Sequence, residues 1–201
     1  MKKIFLGLFV ILLTACSFGM NNTPKAKVKE LLDRYKNQDS SVLTNLDDVI
    51  DSEYSGEYKD RYKTLMLNQY KNLEYKITDE IIDGDTAIVT VDVTVYDFGS
   101  AIDAANTYLD EHEKEFYKKT NTNNELNEGE NTLNSDENTE NEGKTTIDYD
   151  KFLDYKFKLL EEVSDRKTYS IDFTLTKEND EWVLDNLTNE SMQKLHGLYT
   201  E

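Results

Sequence analysis

Apolar side chains in the first third of the chain recur every three or four residues, which is the spacing of one face of an α-helix. Their positions fall into three groups: Val28, Leu31, Leu32 and Tyr35; Val42, Leu43, Leu46, Val49 and Ile50; and Tyr58, Tyr62, Leu65, Met66 and Tyr70. The groups predict three amphipathic helices. The first should begin at Pro24 with Thr23 as its cap, because proline fits the first helical turn. The aromatic stripe of the third helix is interpreted as core packing.

The pattern then changes to alternation of apolar and polar residues, the period of a β-strand. Leu73, Tyr75 and Ile77 precede the turn sequence Asp83-Gly84-Asp85. The later alternating apolar positions are Ala87, Val89, Val91, Val93 and Val95, and then Tyr169, Ile171, Phe173 and Leu175. The turn Asn179-Asp180 leads into a last strand that is expected over 182–187. The sequence therefore predicts two β-hairpins with one buried face.

Helical spacing returns between the two hairpins and after the second one. The apolar positions between them are Ile102, Ala105, Tyr108, Leu109, His112 and Phe116, followed by Phe152, Leu153, Leu159, Leu160 and Val163. A closing helix is expected over 189–198. This order of elements predicts an α+β fold in which helices pack on a curved antiparallel sheet, and residues 24–201 are expected to form one such domain.

The first residues of the chain show a targeting pattern. Two lysines precede an apolar run over 4–13, which is too short to span a bilayer. The tetrapeptide Leu13-Thr14-Ala15-Cys16 resembles the lipobox of bacterial lipoproteins, in which the cysteine is lipid-modified and the chain is cleaved before it. This predicts a signal peptide over 1–15, a lipid on Cys16, a polar tether over 16–23 and a location on the outer face of a cell membrane. The alternative is an ordinary signal peptide with a chance cysteine.

The segment 120–143 is rich in asparagine and acidic residues and poor in large apolar ones. Such a segment buries too little surface to offset the entropy of ordering it, so it is predicted to be a disordered insert. Its carboxylates do not follow the ligand spacing of a helix-loop-helix calcium site, and calcium binding there is left as an open alternative.

The charge of the chain restricts its partners. Acidic residues outnumber basic ones, 41 against 23, and the net charge is −18. Such a surface repels nucleic acid, so no nucleic-acid partner is expected. An acidic surface attracts cations and basic partners, but it also simply keeps an exported chain soluble. The abundance of Asn, Lys, Ile and Tyr beside a single proline is typical of AT-rich, Gram-positive bacteria.

No catalytic or cofactor motif is recognisable. The chain has two histidines, His112 and His196, and its one cysteine is Cys16, so no metal or cofactor is expected. His112 is expected to lie half-buried on the apolar stripe of its helix. Either histidine could serve as a general base, but no serine elbow or phosphate-binding glycine loop accompanies them. We therefore nominate no catalytic residue.

Aromatic side chains are the remaining distinctive feature, with 13 Tyr, 8 Phe and one Trp. Tyrosines stack on sugar rings and line pockets while offering a hydroxyl group. If the sheet and the third helix enclose a cavity, its lining is predicted to come from Tyr62, Tyr75, Tyr96, Tyr169, Phe173 and Trp182.

Three segments carry a resemblance to known proteins: Pro24–Asp51 with the run Leu-Leu-Asp-Arg-Tyr-Lys, Gly84–Phe98, and Asp165–Leu187 with Tyr-Ser-Ile-Asp-Phe-Thr-Leu-Thr-Lys. Together they resemble the cone-shaped fold of the nuclear transport factor superfamily, and more closely small lipoproteins of Gram-positive bacteria with that fold. The resemblance implies a cone around a pocket, which in this superfamily serves enzymes, ligand binders and docking modules alike. The fold therefore does not settle the function.

These observations favour a membrane-anchored, extracytoplasmic binding module without catalytic activity. Its expected partner is a small ligand, a cell-wall fragment or another exported protein. One alternative is an isomerase- or dehydratase-like enzyme, which requires a carboxylate or histidine with a shifted pKa in an apolar pocket. The other is a purely structural envelope protein.

Overall fold

The helices form where the apolar periodicity predicts them. The computed structural model of the protein describes residues 22–118 and 146–200. Within these ranges the helices α1 to α6 are Pro24–Lys36, Ser40–Glu53, Glu57–Asn72, Phe98–Glu111, Tyr149–Glu161 and Asn189–His196. Thr23 caps α1 as predicted, because its hydroxyl accepts a hydrogen bond from the Ala26 amide at 3.2 Å. The predicted signal peptide, the lipid site at Cys16 and the insert at 120–143 lie outside the described residues.

Four strands form one antiparallel sheet in the order β1-β2-β3-β4. Their bounds are Glu74–Asp83, Thr86–Tyr96, Arg166–Glu178 and Glu181–Leu184. Both predicted hairpins are confirmed, and positive φ angles at Gly84, Asn179 and Asp180 allow the tight turns. The last strand ends at Leu184, so its predicted extension to Leu187 is wrong. The Asp185 amide still donates to the Thr174 carbonyl of β3 at 2.9 Å, and Thr188 then caps α6.

One face of the sheet is buried under the helices, as the alternation predicts. The inward side chains of β2 are exposed by 1 % or less: Ala87, Val89, Val91, Val93 and Val95. They pack with apolar side chains from α1, α2, α3, α5 and α6 in the main core. The outward side chains of β2 and β3 are mostly hydroxyl or acidic residues, and Thr90 donates a hydrogen bond to Asp172 at 2.7 Å across the two strands. The α+β class and the curved antiparallel sheet are thus confirmed.

A second, smaller apolar cluster lies between α4 and α5. We call this part, residues 98–118 and 146–161, the helical lobe. The buried residues of its separate cluster are Ala105, Phe116 and Phe152, while Phe98, Phe157 and Leu160 of the same elements pack in the main core. The helix predicted to reach Phe116 instead ends at Glu111, where His112 closes α4 and a 3₁₀ turn follows over Glu113–Phe116. An isolated antiparallel bridge pairs Tyr117 with Ile147 and closes the base of the lobe.

The sheet has two different ends. Both tight turns, residues 83–86 and 178–181, lie together at what we call the hairpin end, because Thr86 pairs with Thr176. At the opposite end Tyr96 pairs with Arg166, and the chain enters and leaves the helical lobe; we call this the lobe end. The eleven residues of β2 place the two ends roughly 33 Å apart. None of the described helices is long and apolar enough to cross a membrane.

Candidate functional site

An open cleft of about 380 Å³ lies at the lobe end, where the helical lobe joins the sheet. Its walls are the start of α4, the end of α5 and the connection from α5 to β3. The residues that line it are Asp97, Ser100, Ala101, Ala104, Leu159, Glu162, Val163, Ser164 and Asp165. The cleft therefore combines an apolar surface with three carboxylates and two hydroxyl groups.

Asp97 fixes the geometry of the cleft. Its backbone N–H donates to the carbonyl of Asp165 at 2.9 Å, which holds the two connections of the lobe side by side. Its carboxylate accepts hydrogen bonds from the Ser100 amide at 3.2 Å and from the Ser100 hydroxyl at 2.7 Å. Asp97 is thus the N-cap of α4 as well as a wall of the cleft.

Small side chains keep the cleft open. Ala101 and Ala104 lie on the first turns of α4 and leave space that larger residues would fill, while Leu159 and Val163 supply apolar surface from the opposite wall. Five of the nine lining residues are polar, so the cleft is a mixed surface and not the mostly apolar pocket that is usual for small molecules. Its openness to solvent suits an extended group or a protruding side chain.

The charge around the cleft is negative. Glu162 and Asp165 are exposed acidic residues, and the lining contains no basic residue. The nearest arginine in sequence, Arg166, is engaged elsewhere: its guanidinium donates to Glu74 at 2.5 Å and to the Thr94 carbonyl at 3.0 Å. A cleft with carboxylates and apolar walls concentrates cations near it. Within the described ranges no group of three acidic, histidine or cysteine residues is placed to hold a metal ion.

A buried polar contact holds the cleft against the core. The side chain of Gln69 on α3 accepts a hydrogen bond from the Tyr96 amide at 2.8 Å and donates to the carbonyls of Tyr96 at 3.1 Å and His196 at 2.8 Å. Gly197 adopts φ 70°, and a Cβ atom there would come within 2.2 Å of Gln69 and of the Tyr96 carbonyl. A glycine is therefore required where the C-terminal segment crosses the end of β2.

The six aromatic residues predicted to line a pocket do not line this cleft. Tyr62, Phe173 and Trp182 pack in the main core, with Phe173 completely buried. Tyr75 is half-buried and donates a hydrogen bond to Asp33 at 2.6 Å, and burial, followed by that bond, raises the pKa of its hydroxyl.

The other two aromatic residues of that set lie nearer the lobe end. Tyr169 is buried in the main core beside the ring of Tyr199, with ring centres 5.9 Å apart. The Tyr96 ring stacks against Phe98 at 6.1 Å on the partly exposed side of β2. Ligand contact by these six residues stays a prediction, and the structure spreads them through the core instead of gathering them.

The two histidines have different surroundings. His112 is half-buried, as predicted, and its ring stacks on Tyr108 with centres 4.1 Å apart. His196 is buried against the rings of Tyr35 and Tyr70, at 5.7 and 5.6 Å, and burial lowers its pKa to about 4. Neither histidine lines the cleft.

Sequence reasoning missed the cleft and the burial of His196. The cleft depends on Asp97 and Asp165 meeting across a long stretch of chain, and no local motif marks that contact. The burial of His196 could have been inferred from Gly197, because a glycine directly after a helix indicates a tight C-terminal cap that turns the chain back onto the fold.

Comparison with models of known protein families, with curated proteins and with solved structures finds no match to this chain.

Proposed function

We propose that this protein is a lipid-anchored, extracytoplasmic binding module whose cleft at the lobe end binds a cationic group. The observation that carries the proposal is the cleft itself, an open concave surface of about 380 Å³ with apolar walls and three carboxylates. The membrane anchor is supported by the lipobox-like sequence that ends at Cys16 and by the apolar run before it. The assignment to the cone-shaped fold of the nuclear transport factor superfamily belongs to the same proposal.

The composition of the cleft indicates the chemistry of its ligand. Leu159 and Val163 favour an aliphatic stem, while Asp97, Glu162 and Asp165 favour a positive charge at its tip. A lysine-like or arginine-like side chain has both parts. On the outer face of a cell such groups occur in cell-wall peptides and on other exported proteins, which are the partners expected from the sequence.

The binding function ranks ahead of the isomerase- or dehydratase-like alternative because no histidine lines the cleft, and its carboxylates Glu162 and Asp165 are exposed and not enclosed in an apolar pocket. An enzyme of that kind needs its base within hydrogen-bonding reach of a bound substrate. Burial lowers the pKa of His196 to about 4, and its ring packs against Tyr35 and Tyr70, away from the cleft lining.

A thermal-shift titration with a short lysine-containing peptide tests the proposed function. A ligand that binds only the folded state raises the melting temperature in a saturable way, so the peptide is expected to raise it. The shift should shrink as salt is added, because exposed charges are screened over about 10 Å at 0.1 M salt. The same peptide with acetylated lysine side chains keeps the stem, lacks the charge and should give no shift.

Two double variants localise the site while changing the net charge equally. Glu162→Gln with Asp165→Asn removes two carboxylates from the cleft, and Asp83→Asn with Asp85→Asn removes two at the hairpin end. The peptide shift should disappear in the first variant and persist in the second. An equal loss in both would show that the peptide responds to overall charge and would refute the cleft as the site.

A further inference from the structure

The first described residues are fixed at the hairpin end of the sheet. The side chain of Asn22 donates a hydrogen bond to the carbonyl of Asp180 at 2.6 Å and accepts one from the Trp182 amide at 2.9 Å. Three residues later the Lys25 amide donates to Glu80 of β1 at 3.1 Å, and its ammonium group pairs with the same carboxylate at 3.3 Å. The chain therefore enters the fold between the tips of the two hairpins.

The length of chain before Asn22 limits how far this end can lie from the lipid. Five residues separate Cys16 from Asn22, and the six steps of fully extended chain between them span at most about 22 Å. The cleft lies at the other end of β2, roughly 33 Å further along the sheet. A lipid on Cys16 thus keeps the hairpin end near the bilayer.

The hairpin end also carries most of the exposed large apolar side chains. Within the described residues five such side chains are exposed: Ile81, Ile82, Ile88, Val183 and Tyr149. All except Tyr149 lie at the hairpin end. Ile81 exposes 59 % of its surface and pairs directly with Ile88 on the outward face of the sheet, whereas Ile82, exposed by 53 %, pairs with Ala87 and lies on the opposite face. Val183 pairs with Thr176 and shares the outward face with Ile81 and Ile88. A cluster of exposed apolar side chains at one end of a molecule marks a contact surface.

We propose that the hairpin end is the membrane-facing surface of the protein, with Ile81, Ile88 and Val183 against the bilayer interface and the cleft directed away from it. The proposal rests on the lipid anchor of the proposed function. The short tether makes the contact intramolecular, so a weak apolar surface is held at high effective concentration. The cleft would then face partners that approach from outside the cell.

Charge sets a limit on this contact. Asp83 and Asp85 lie in one turn and Asp180 and Glu181 at the other, so anionic headgroups repel both tips. The apolar side chains must therefore work against electrostatic repulsion. The contact should weaken as the fraction of anionic lipid rises, and added salt should restore it by screening.

Fluorescence quenching on vesicles tests the orientation with the full, lipidated chain. Cys16 is the only cysteine and is occupied by the lipid, so a single label can be placed through Asp85→Cys at the hairpin end or Lys71→Cys at the lobe end. Both positions are exposed. The quencher is attached to lipid headgroups in vesicles of mainly zwitterionic lipid. The quenched fraction of fluorescence should be several-fold larger for the label at position 85 than for the label at position 71. Equal quenching, or stronger quenching at position 71, would overturn the orientation.

A second variant tests the apolar contact separately from the tether. Ile81→Ser with Ile88→Ser should reduce quenching of the label at position 85, whereas Tyr149→Ser, an exposed apolar residue of the helical lobe, should leave it unchanged. Unchanged quenching in the first variant would refute the apolar contact. Cross-linking of two copies through the label at position 85 would show that a second copy occupies this surface and would overturn the membrane assignment.

Flotation of the same vesicles separates this inference from the proposed anchor. The intact chain should float with lipid, and Cys16→Ser should not. A chain that fails to float refutes the anchor and the orientation together. A chain that floats with the wrong quenching pattern refutes only the orientation.

Discussion

The main core and the helical lobe are built in different ways. In the main core, β2 contributes a complete row of buried valines that pack with residues from distant parts of the chain. The separate cluster of the lobe has three buried residues, which are surrounded by half-exposed aromatics such as Tyr108 and Tyr155, whose rings stack at 4.7 Å. Regions with few buried apolar contacts open at a lower free energy than the core of a protein. The cleft lies at the base of the lobe, where α4 and α5 connect to the sheet.

The largest expected effect on stability comes from removing a phenylalanine from the main core, and it can be compared with removal of one from the lobe. Phe173→Ala should lower the free energy of unfolding by about 3–5 kcal/mol, because a fully buried ring leaves a cavity in the main core. Phe116→Ala should instead mainly speed amide hydrogen exchange in α4. Urea unfolding and hydrogen exchange measure the two outcomes. If Phe116→Ala accelerated exchange in β2 as much as in α4, the lobe and core would unfold as one unit and the comparison would fail.

The next effect concerns His196 in the main core. Its folded pKa of about 4 lies below the ordinary value of 6.5, so between these pH values the unfolded chain binds a proton that the folded chain does not. The stability that this difference gives is fully present above pH 6.5 and is lost as the pH falls towards 4. The loss should reach about 3 kcal/mol.

Urea unfolding between pH 7.5 and 4.5 measures this loss. Acidic residues also titrate in this range, so the comparison is with His196→Leu, in which the steep part of the pH dependence should vanish. His112→Gln, which alters the half-buried histidine of the lobe, should keep it. Identical pH dependence of the intact chain and His196→Leu would show that burial of His196 does not control acid stability.

The smallest expected effect concerns the contact that ties α3 to α5. The guanidinium of Arg61 donates to both carboxylate oxygens of Glu161, at 2.7 and 3.0 Å, and lies over the ring of Phe157 at 4.9 Å. Lysine cannot make this forked contact, so Arg61→Lys should cost about 1 kcal/mol or less at such a solvent-exposed pair. A double-mutant cycle with Glu161→Gln measures the coupling, and 1 M salt should reduce it. A coupling unaffected by salt would mean that packing on Phe157, not charge, joins the helices.

The spacing of apolar residues predicted the helices and strands well, because buried side chains in this fold recur with the period of the helix or strand that carries them. The alternation over 87–95 fixed β2 and its buried face, and Val28, Leu31 and Leu32 marked the buried face of α1. The errors fell at ends of elements, at His112 and after Leu184, where capping by a distant or following residue decides where an element stops.

The site was less predictable than the fold for a physical reason. The same pattern of aromatic residues on the inward face of a strand is expected whether they line a pocket or pack in a core. In this protein Phe173 and Trp182 pack in the core. The cleft instead arises where the ends of β2, α4, α5 and β3 meet. Its lining includes Ala101 and Ala104, whose importance is the space they leave, and a sequence alone does not show that space.

The bridge between Tyr117 and Ile147 has a consequence for how this chain tolerates change. The Lys118 amide donates to the Thr146 carbonyl at 2.9 Å, so the two points between which residues 119–145 run are already neighbours. The entropy of closing a loop between fixed neighbours grows only logarithmically, by about 0.6 kcal/mol for each doubling of length. A change in the length of the connection therefore need not displace the two strands of the bridge. For the same reason the connection is a position at which a reporter domain or an affinity tag can be spliced into the protein with the cleft left intact.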